Sequence, residues 1–128
     1  EQLAQKHVKL KVDVPQERLL LAADSSMIEQ VLINLIKNAI EAVQEQPEPQ
    51  IILRAYHDER SRISIEVIDN GQGMTSEALT KIFIPFYSTK KTGSGIGLSL
   101  SRQIMRLHKG SISVQSELGK GTRFILRF

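Results

Sequence analysis

The stretch MIEQVLINLIKNAIEAV, residues 27–43, decides the fold. Within it Ile28, Val31, Leu32, Leu35, Ile36, Ala39, Ile40 and Val43 recur at helical spacing, which winds them onto one broad apolar face. Ser26 followed by Glu29 gives a capping-box pattern at the start, and Pro47 and Pro49 close the helix. Upstream the period differs. Val8–Val12 alternates apolar and basic residues and Leu19–Ala23 is a short apolar run, so both read as strands around a turn at Pro15. Downstream, Ile51–Tyr56 and Ile63–Ile68 are β-rich segments separated by the polar HDERSR, which predicts an antiparallel pair. A short helix is expected over Ser76–Ile82 and a longer one over Gly97–His108, stopping at Gly110, a residue favoured just past a helix end. Strands at Ser111–Ser116 and Thr122–Phe128 flank the turn LGKG.

A chain of 128 residues with 41% hydrophobic content suits one core. No apolar run approaches the roughly 20 residues that span a bilayer, and EQLAQKHVKLKV lacks the apolar stretch of a secretory signal, so a soluble piece is expected. Cysteine is absent, which removes disulfides and thiolate metal sites. The net charge of +3 suits either a polyanion or a solvated surface. With 5% aromatic residues and no Trp, the chain lacks the basic and aromatic platform of single-strand nucleic-acid binders, so a nucleotide is the better polyanion.

Three places carry chemistry. Asn34 and Asn38 stand one helical turn apart, off the apolar face, where an amide oxygen could hold Mg2+; two solvated polar residues are the plainer reading of the pair alone. Asp69-Asn70-Gly71-Gln72-Gly73-Met74 follows a strand, so the carboxylate could accept from an exocyclic amine while the glycines admit close backbone approach. Asn-Gly is also a hairpin signal, yet no alternating strand follows it. Gly93-Ser94-Gly95-Ile96-Gly97-Leu98 opens a helix, where unpaired N–H groups suit phosphate, and Lys90 and Lys91 add positive charge; a flexible linker is the competing account. Its spacing fits neither the Walker loop nor the Rossmann fingerprint, and the protein-kinase signatures are missing. The glycine-, Ser- and Lys-rich connection from 70 to 97 has the length of a lid, a binding loop or a linker.

The order of these parts, from NLIKNAIEA through DNGQGM, IFIPFYSTK and GSGIGL to GKGT, resembles the histidine-kinase branch of the GHKL ATP-binding family over nearly the whole chain. That resemblance implies the Bergerat-type fold, an α/β (α+β) two-layer sandwich whose mixed sheet carries helices on one face, with ATP or ADP and Mg2+ between the long helix and the lid. Matched residue by residue, Asn38 is similar to the family's magnesium-binding asparagine and Asn34 to its companion. Asp69 matches the adenine-binding aspartate, with Gly71 and Gly73 at the pocket floor and Met74 completing that motif. Gly93, Gly95 and Gly97 match the phosphate-side glycines, with Lys90, Lys91, Ser94, Ile96 and Leu98 beside them. Thr122 resembles the threonine that helps hold adenine. Phe83 and Phe86 match an aromatic box whose chemistry reads as plain hydrophobic packing.

Two departures shape the functional expectation. In the hydrolytic relatives, the gyrase and heat-shock chaperone ATPases, a glutamate one turn before the magnesium asparagine activates water; here Asn34 stands there, and a neutral amide cannot act as a general base. Transfer to a protein acceptor is favoured, with Glu41, one turn beyond Asn38, able to contact water or the acceptor or simply to face solvent. The second departure is that no HExxN-like acceptor pattern occurs: His7 sits near a strand, His57 in a polar turn, and His108 at a helix end whose dipole suits a cation. The expectation is one catalytic domain over residues 1–128, cut from a longer chain and monomeric alone, with no nucleic-acid or membrane contact of its own. Its partners are a dimerisation and histidine-phosphotransfer domain and, indirectly, a response regulator. The setting is cytoplasmic, in a full-length protein with room for an inner-membrane anchor. A GHKL-type serine kinase acting as an anti-sigma factor and a non-catalytic ATP-dependent binding module are the competing readings.

Overall fold

The long helix starts earlier than the capping-box pattern predicts, because a different side chain caps it. In the computed structural model, which describes residues 8–14, 23–87 and 97–128, helix α1 spans Ser25–Ala42. Oδ1 of Asp24 accepts from the backbone N–H of Met27 at 3.1 Å. This satisfies an orphan donor of the first turn and sets a carboxylate against the positive end of the helix dipole, leaving Ser26 inside the helix. The apolar stripe is buried as its period requires: Val31, Leu35 and Val43 are 0% exposed, and Ile28, Ala39 and Ile40 are buried with them. Each fully buried aliphatic side chain contributes about 1.5–3 kcal/mol.

That stripe lies on a sheet of five strands: β1 (Lys9–Asp13), β2 (Gln50–His57), β3 (Ile63–Asp69), β4 (Ser111–Glu117) and β5 (Gly121–Arg127). Their order is β1-β2-β3-β5-β4, with β1 parallel to β2 and every other pair antiparallel. Helices α2 (Ser76–Lys81) and α3 (Gly97–Leu107) complete the described elements. Helix α1 packs on β3 and β5, and α3 packs on α1 and β4. Ile51, Val67, Phe124 and Leu126 from the strands join Ile104 and Met105 of α3 in the core. The mixed sheet with helices on one face is the architecture expected. The strand read at Leu19–Ala23 and the Pro15 turn fall on residues 15–22, outside the described residues except for Ala23.

On the opposite face the cross-strand register brings Arg54 beside Glu66, and Glu66 is only 4% exposed. A buried carboxylate needs partners. The Tyr56 hydroxyl donates to Glu66 Oε2, and the Arg54 and Arg123 guanidinium groups lie 3.6 and 3.8 Å from Oε1. The bond to Glu66 raises the Tyr56 hydroxyl above its ordinary pKa.

The end of α3 corrects the expected role of Gly110. The left-handed residue is Lys109, at φ 59, and the bonds Lys109 N–H to Arg106 O and Gly110 N–H to Met105 O form a Schellman closure. Gly110 is needed for space, since a Cβ there would sit 2.4 Å from Arg127 O.

Candidate functional site

Asp69 ends β3 on the helix-bearing face, 6% exposed. Its Oδ1 accepts from Gly71 N–H at 2.8 Å. Burial pushes the carboxyl up to about 6, a rise limited by the backbone bonds from Gly71 and Thr122. At neutral pH it is mainly a carboxylate, an acceptor with no proton to give.

The chain after Asp69 threads between two backbones. A Cβ on Gly71 would lie 2.5 Å from Ala42 O, at the end of α1, and one on Gly73 would lie 2.1 Å from Glu117 O, at the end of β4. Gly73 also takes φ +74, which an L side chain rarely adopts. The close approach that these glycines permit is therefore to the protein itself. Asn70 fixes the entry to this loop, its side chain accepting from Gln50 N–H and donating to Glu48 O, both at 2.9 Å.

Thr122 on β5 pairs directly with Asp69 across the sheet and is 7% exposed. Ser116 on β4 lies on its other side and joins three partners. Its Oγ accepts from Met74 N–H, donates to Gly121 O and meets Thr122 Oγ1, each at 2.9 Å. Sequence reasoning singled out neither Ser116 nor Gly121. Gly121 carried a visible signal, the GKGT turn, whereas Ser116 is one of several serines in a strand and carried none.

Asn34 is half-buried against α3 rather than on a solvated face. Its Nδ2 donates to Gly97 O at 3.3 Å and to Ser101 Oγ at 3.4 Å, while its Oδ1 accepts from Gln30 Nε2 at 3.4 Å. The first turn of α3 is thereby tied to the middle of α1. Asn38 lies one turn further on, half-buried, and Glu41 follows, exposed. At the end of the same helix Ala42 meets Gly71. From Asn34 to Ala42 the helix rises roughly 12 Å. Two features are therefore separated along α1 with Asn38 between them: the α3 N-terminus and the Asp69 loop.

Gly97 is the first residue of α3, and Leu98 packs at the core margin. Lys90, Lys91, Gly93, Ser94, Gly95 and Ile96 lie outside the described residues. Phe83 also packs at the core margin, with the Arg102 guanidinium 5.4 Å from its ring centre. Phe86 is 76% exposed at φ 69, so hydrophobic packing does not account for it. No group of three or more His, Cys, Asp or Glu side chains converges as a metal site among the described residues. A cation held by an amide oxygen, phosphates and water needs none, and Asn38 supplies such an amide. No helix among the described residues is long and apolar enough to cross a membrane.

Known proteins resemble this chain in sequence and in fold. The chain is similar to the signal transduction histidine-protein kinase AtoS of Escherichia coli (strain K12), 41% identical over 104 residues, covering 81% of this chain and 17% of that protein. It is similar also to sporulation kinase E of Bacillus subtilis (strain 168), 36% identical over 118 residues, covering 92% of this chain and 16% of that one. The chain thus spans about a sixth of each. Among solved structures, the catalytic domain of the histidine kinase ThkA superposes with a TM-score of 0.84 at 31% identity, covering 98% of this chain and 82% of that one. Full-length ShkA in complex with AMPPNP superposes with a TM-score of 0.85 at 25% identity, covering 98% of this chain and 26% of that one. Residues 23–128 match the family described as histidine kinase-, DNA gyrase B- and HSP90-like ATPase, and the chain belongs to that family.

Proposed function

We propose that this chain binds Mg-ATP and passes its γ-phosphoryl group to a histidine on a helical dimerisation domain elsewhere in the full-length protein, as a step of two-component signalling. The observation that carries this reading is the arrangement along α1: the Asp69 and Thr122 acceptors at one end, the α3 N-terminus at the other, and Asn38 between them. Roughly 12 Å of helix suits a nucleoside triphosphate laid along it, base toward Asp69 and phosphates toward α3. Asp69 would accept from the base amine, and Asn38 would offer its amide oxygen to Mg2+. When bound, the cation neutralises charge on the phosphates.

In the transfer the bond from the γ-phosphorus to the bridging oxygen breaks, a bond to the acceptor imidazole nitrogen forms, and ADP leaves. Asn34 has no carboxylate with which to activate water, and its amide is engaged by Gly97 and Ser101. This supports transfer over hydrolysis. The remaining length of such a protein would supply the acceptor domain, the sensor and any membrane anchor, and a response regulator would receive the phosphoryl group next. The test is to mix the chain with radiolabelled ATP, Mg2+ and a separate histidine-bearing helical domain. Labelling of that domain, with little phosphate release by the chain alone, is expected; an unlabelled acceptor with rapid phosphate release would overturn the reading.

A further inference from the structure

The hydrogen-bond polarity of the Asp69 pocket depends on a proton that Ser116 controls. A serine hydroxyl has one proton and two lone pairs. Met74 N–H and Gly121 O are fixed in their roles, one a donor and the other an acceptor, so Ser116 must receive from Met74 and give its single proton to Gly121. The contact between Ser116 Oγ and Thr122 Oγ1 can then be a hydrogen bond in one direction only, with Thr122 donating. The Thr122 proton is thus turned toward Ser116, and Thr122 keeps only lone pairs for anything else. Asp69, its neighbour across the strands, also accepts only, from Gly71 N–H.

We infer that Ser116 is a specificity-determining positioning residue: by taking the Thr122 proton it leaves Thr122 and Asp69 as acceptors only, which selects a 6-amino purine over a 6-oxo purine. This rests on the proposed nucleotide-binding reading. At the 6-position a 6-amino group brings two N–H donors, one for each acceptor, whereas a 6-oxo purine sets lone pairs there and offers the single donor N1–H, so one buried acceptor stays unpaired. Gly121 belongs to the same device. Its φ is +98 and a Cβ would fall 2.1 Å from Asp69 O, so the turn that aims its carbonyl at Ser116 requires glycine.

Ser116→Ala frees the Thr122 hydroxyl to rotate and donate. Calorimetry with ATP and ITP, which share sugar and phosphates, reads the consequence. In the parent chain ATP binds more tightly. In Ser116→Ala the ATP-to-ITP affinity ratio falls roughly tenfold, the equivalent of one misdirected hydrogen bond, chiefly because ITP binding improves relative to ATP. Ser116→Thr, which keeps a hydroxyl, restores the ratio. A merely structural role for Ser116 would weaken both nucleotides equally, so an unchanged ratio in folded Ser116→Ala overturns the inference. If that variant does not fold, Thr122→Val carries the test with the Ser116 bonds to Met74 and Gly121 left in place; there too the ratio must fall, or the inference fails. A parent chain that binds neither nucleotide would remove the nucleotide reading itself. A parent that binds both without preference would leave that reading standing and overturn only the role of Ser116.

Discussion

The backbone N–H of Asp24 points at Nε2 of His108, 3.1 Å away, while Nδ1 of the same ring lies 2.8 Å from Ile104 O. An imidazole can accept at Nε2 and donate at Nδ1 only as the neutral Nδ1–H tautomer, so these two contacts assign the ring. The ring ties the N-cap of α1 to the last turn of α3. His108→Ala should cost about 0.5–1.5 kcal/mol, the net worth of such a bond, and no more, since water reaches the exposed Asp24 amide. Urea denaturation of parent and variant measures this. A loss of several kcal/mol would show that the ring acts through packing.

Asp69 opposes stability and binding to one another. Its native carboxyl lies near 6 because of burial, against an ordinary value of 3.8. The native state therefore takes up the proton first as pH falls, so this group's contribution to stability improves between about pH 6 and pH 4 and is least favourable above 6. Burying the charge in this way costs on the order of 3 kcal/mol at neutral pH. Asp69→Asn keeps an oxygen for Gly71 N–H without the charge, and should raise the melting temperature of the ligand-free chain. The same change should weaken ATP by about 1.5–3 kcal/mol through the lost charged acceptor. ATP affinity of the parent should rise with pH through 6, and that rise should be missing in the variant. Melting and calorimetry at pH 5 and 7.5 check both halves.

How far the sequence revealed this arrangement depended on whether a residue's role was local. The period of residues 27–43 is a local property of one helix, and its stripe is the buried stripe. The place of Asp69 at a strand end was legible because a β-rich run precedes DNGQGM and no alternating strand follows it. Ser116 was not, since its partners Met74, Gly121 and Thr122 meet only once β4 and β5 pair and the Asp69 loop folds over them. Asn34 illustrates the same limit: its helical position was correct, but the partner that turns it inward comes from 63 residues away. The cap went to Asp24 instead of Ser26, and both residue types cap well, so the residue type alone did not distinguish them.

Asn38→Ala should abolish phosphotransfer to a supplied histidine domain without unfolding the chain. The amide oxygen is the proposed magnesium ligand, and alanine is the best helix former. Measuring radiolabel transfer at saturating Mg2+ and ATP, beside thermal melting, separates chemistry from stability. A folded variant that transfers at the parent rate would remove Asn38 from the metal site.

Asn34→Asp is a nearly isosteric change that inverts one hydrogen bond. In the parent, Nδ2 donates to Gly97 O at 3.3 Å, and Ser101 Oγ donates to the same carbonyl at 2.9 Å. A carboxylate would set a negative oxygen against Gly97 O and remove the tie between α1 and α3, at a cost of about 1–3 kcal/mol for a repelled, part-buried acceptor. Two roles for Asn34 then diverge. If its main task is to hold the first turn of α3, Asn34→Asp should lower the melting temperature of the ligand-free chain and weaken ATP, and Asn34→Ala should do the same to a smaller degree. Excess Mg2+ should rescue neither. If its main task is to touch the metal, the carboxylate is a better ligand than the amide, and Asn34→Asp should bind Mg-ATP as well as the parent or better, above all at low Mg2+. A magnesium titration of ATP affinity, run on both variants with their melting curves, decides between the two. The bonds from Asn34 to Gly97 and Ser101 favour the first outcome.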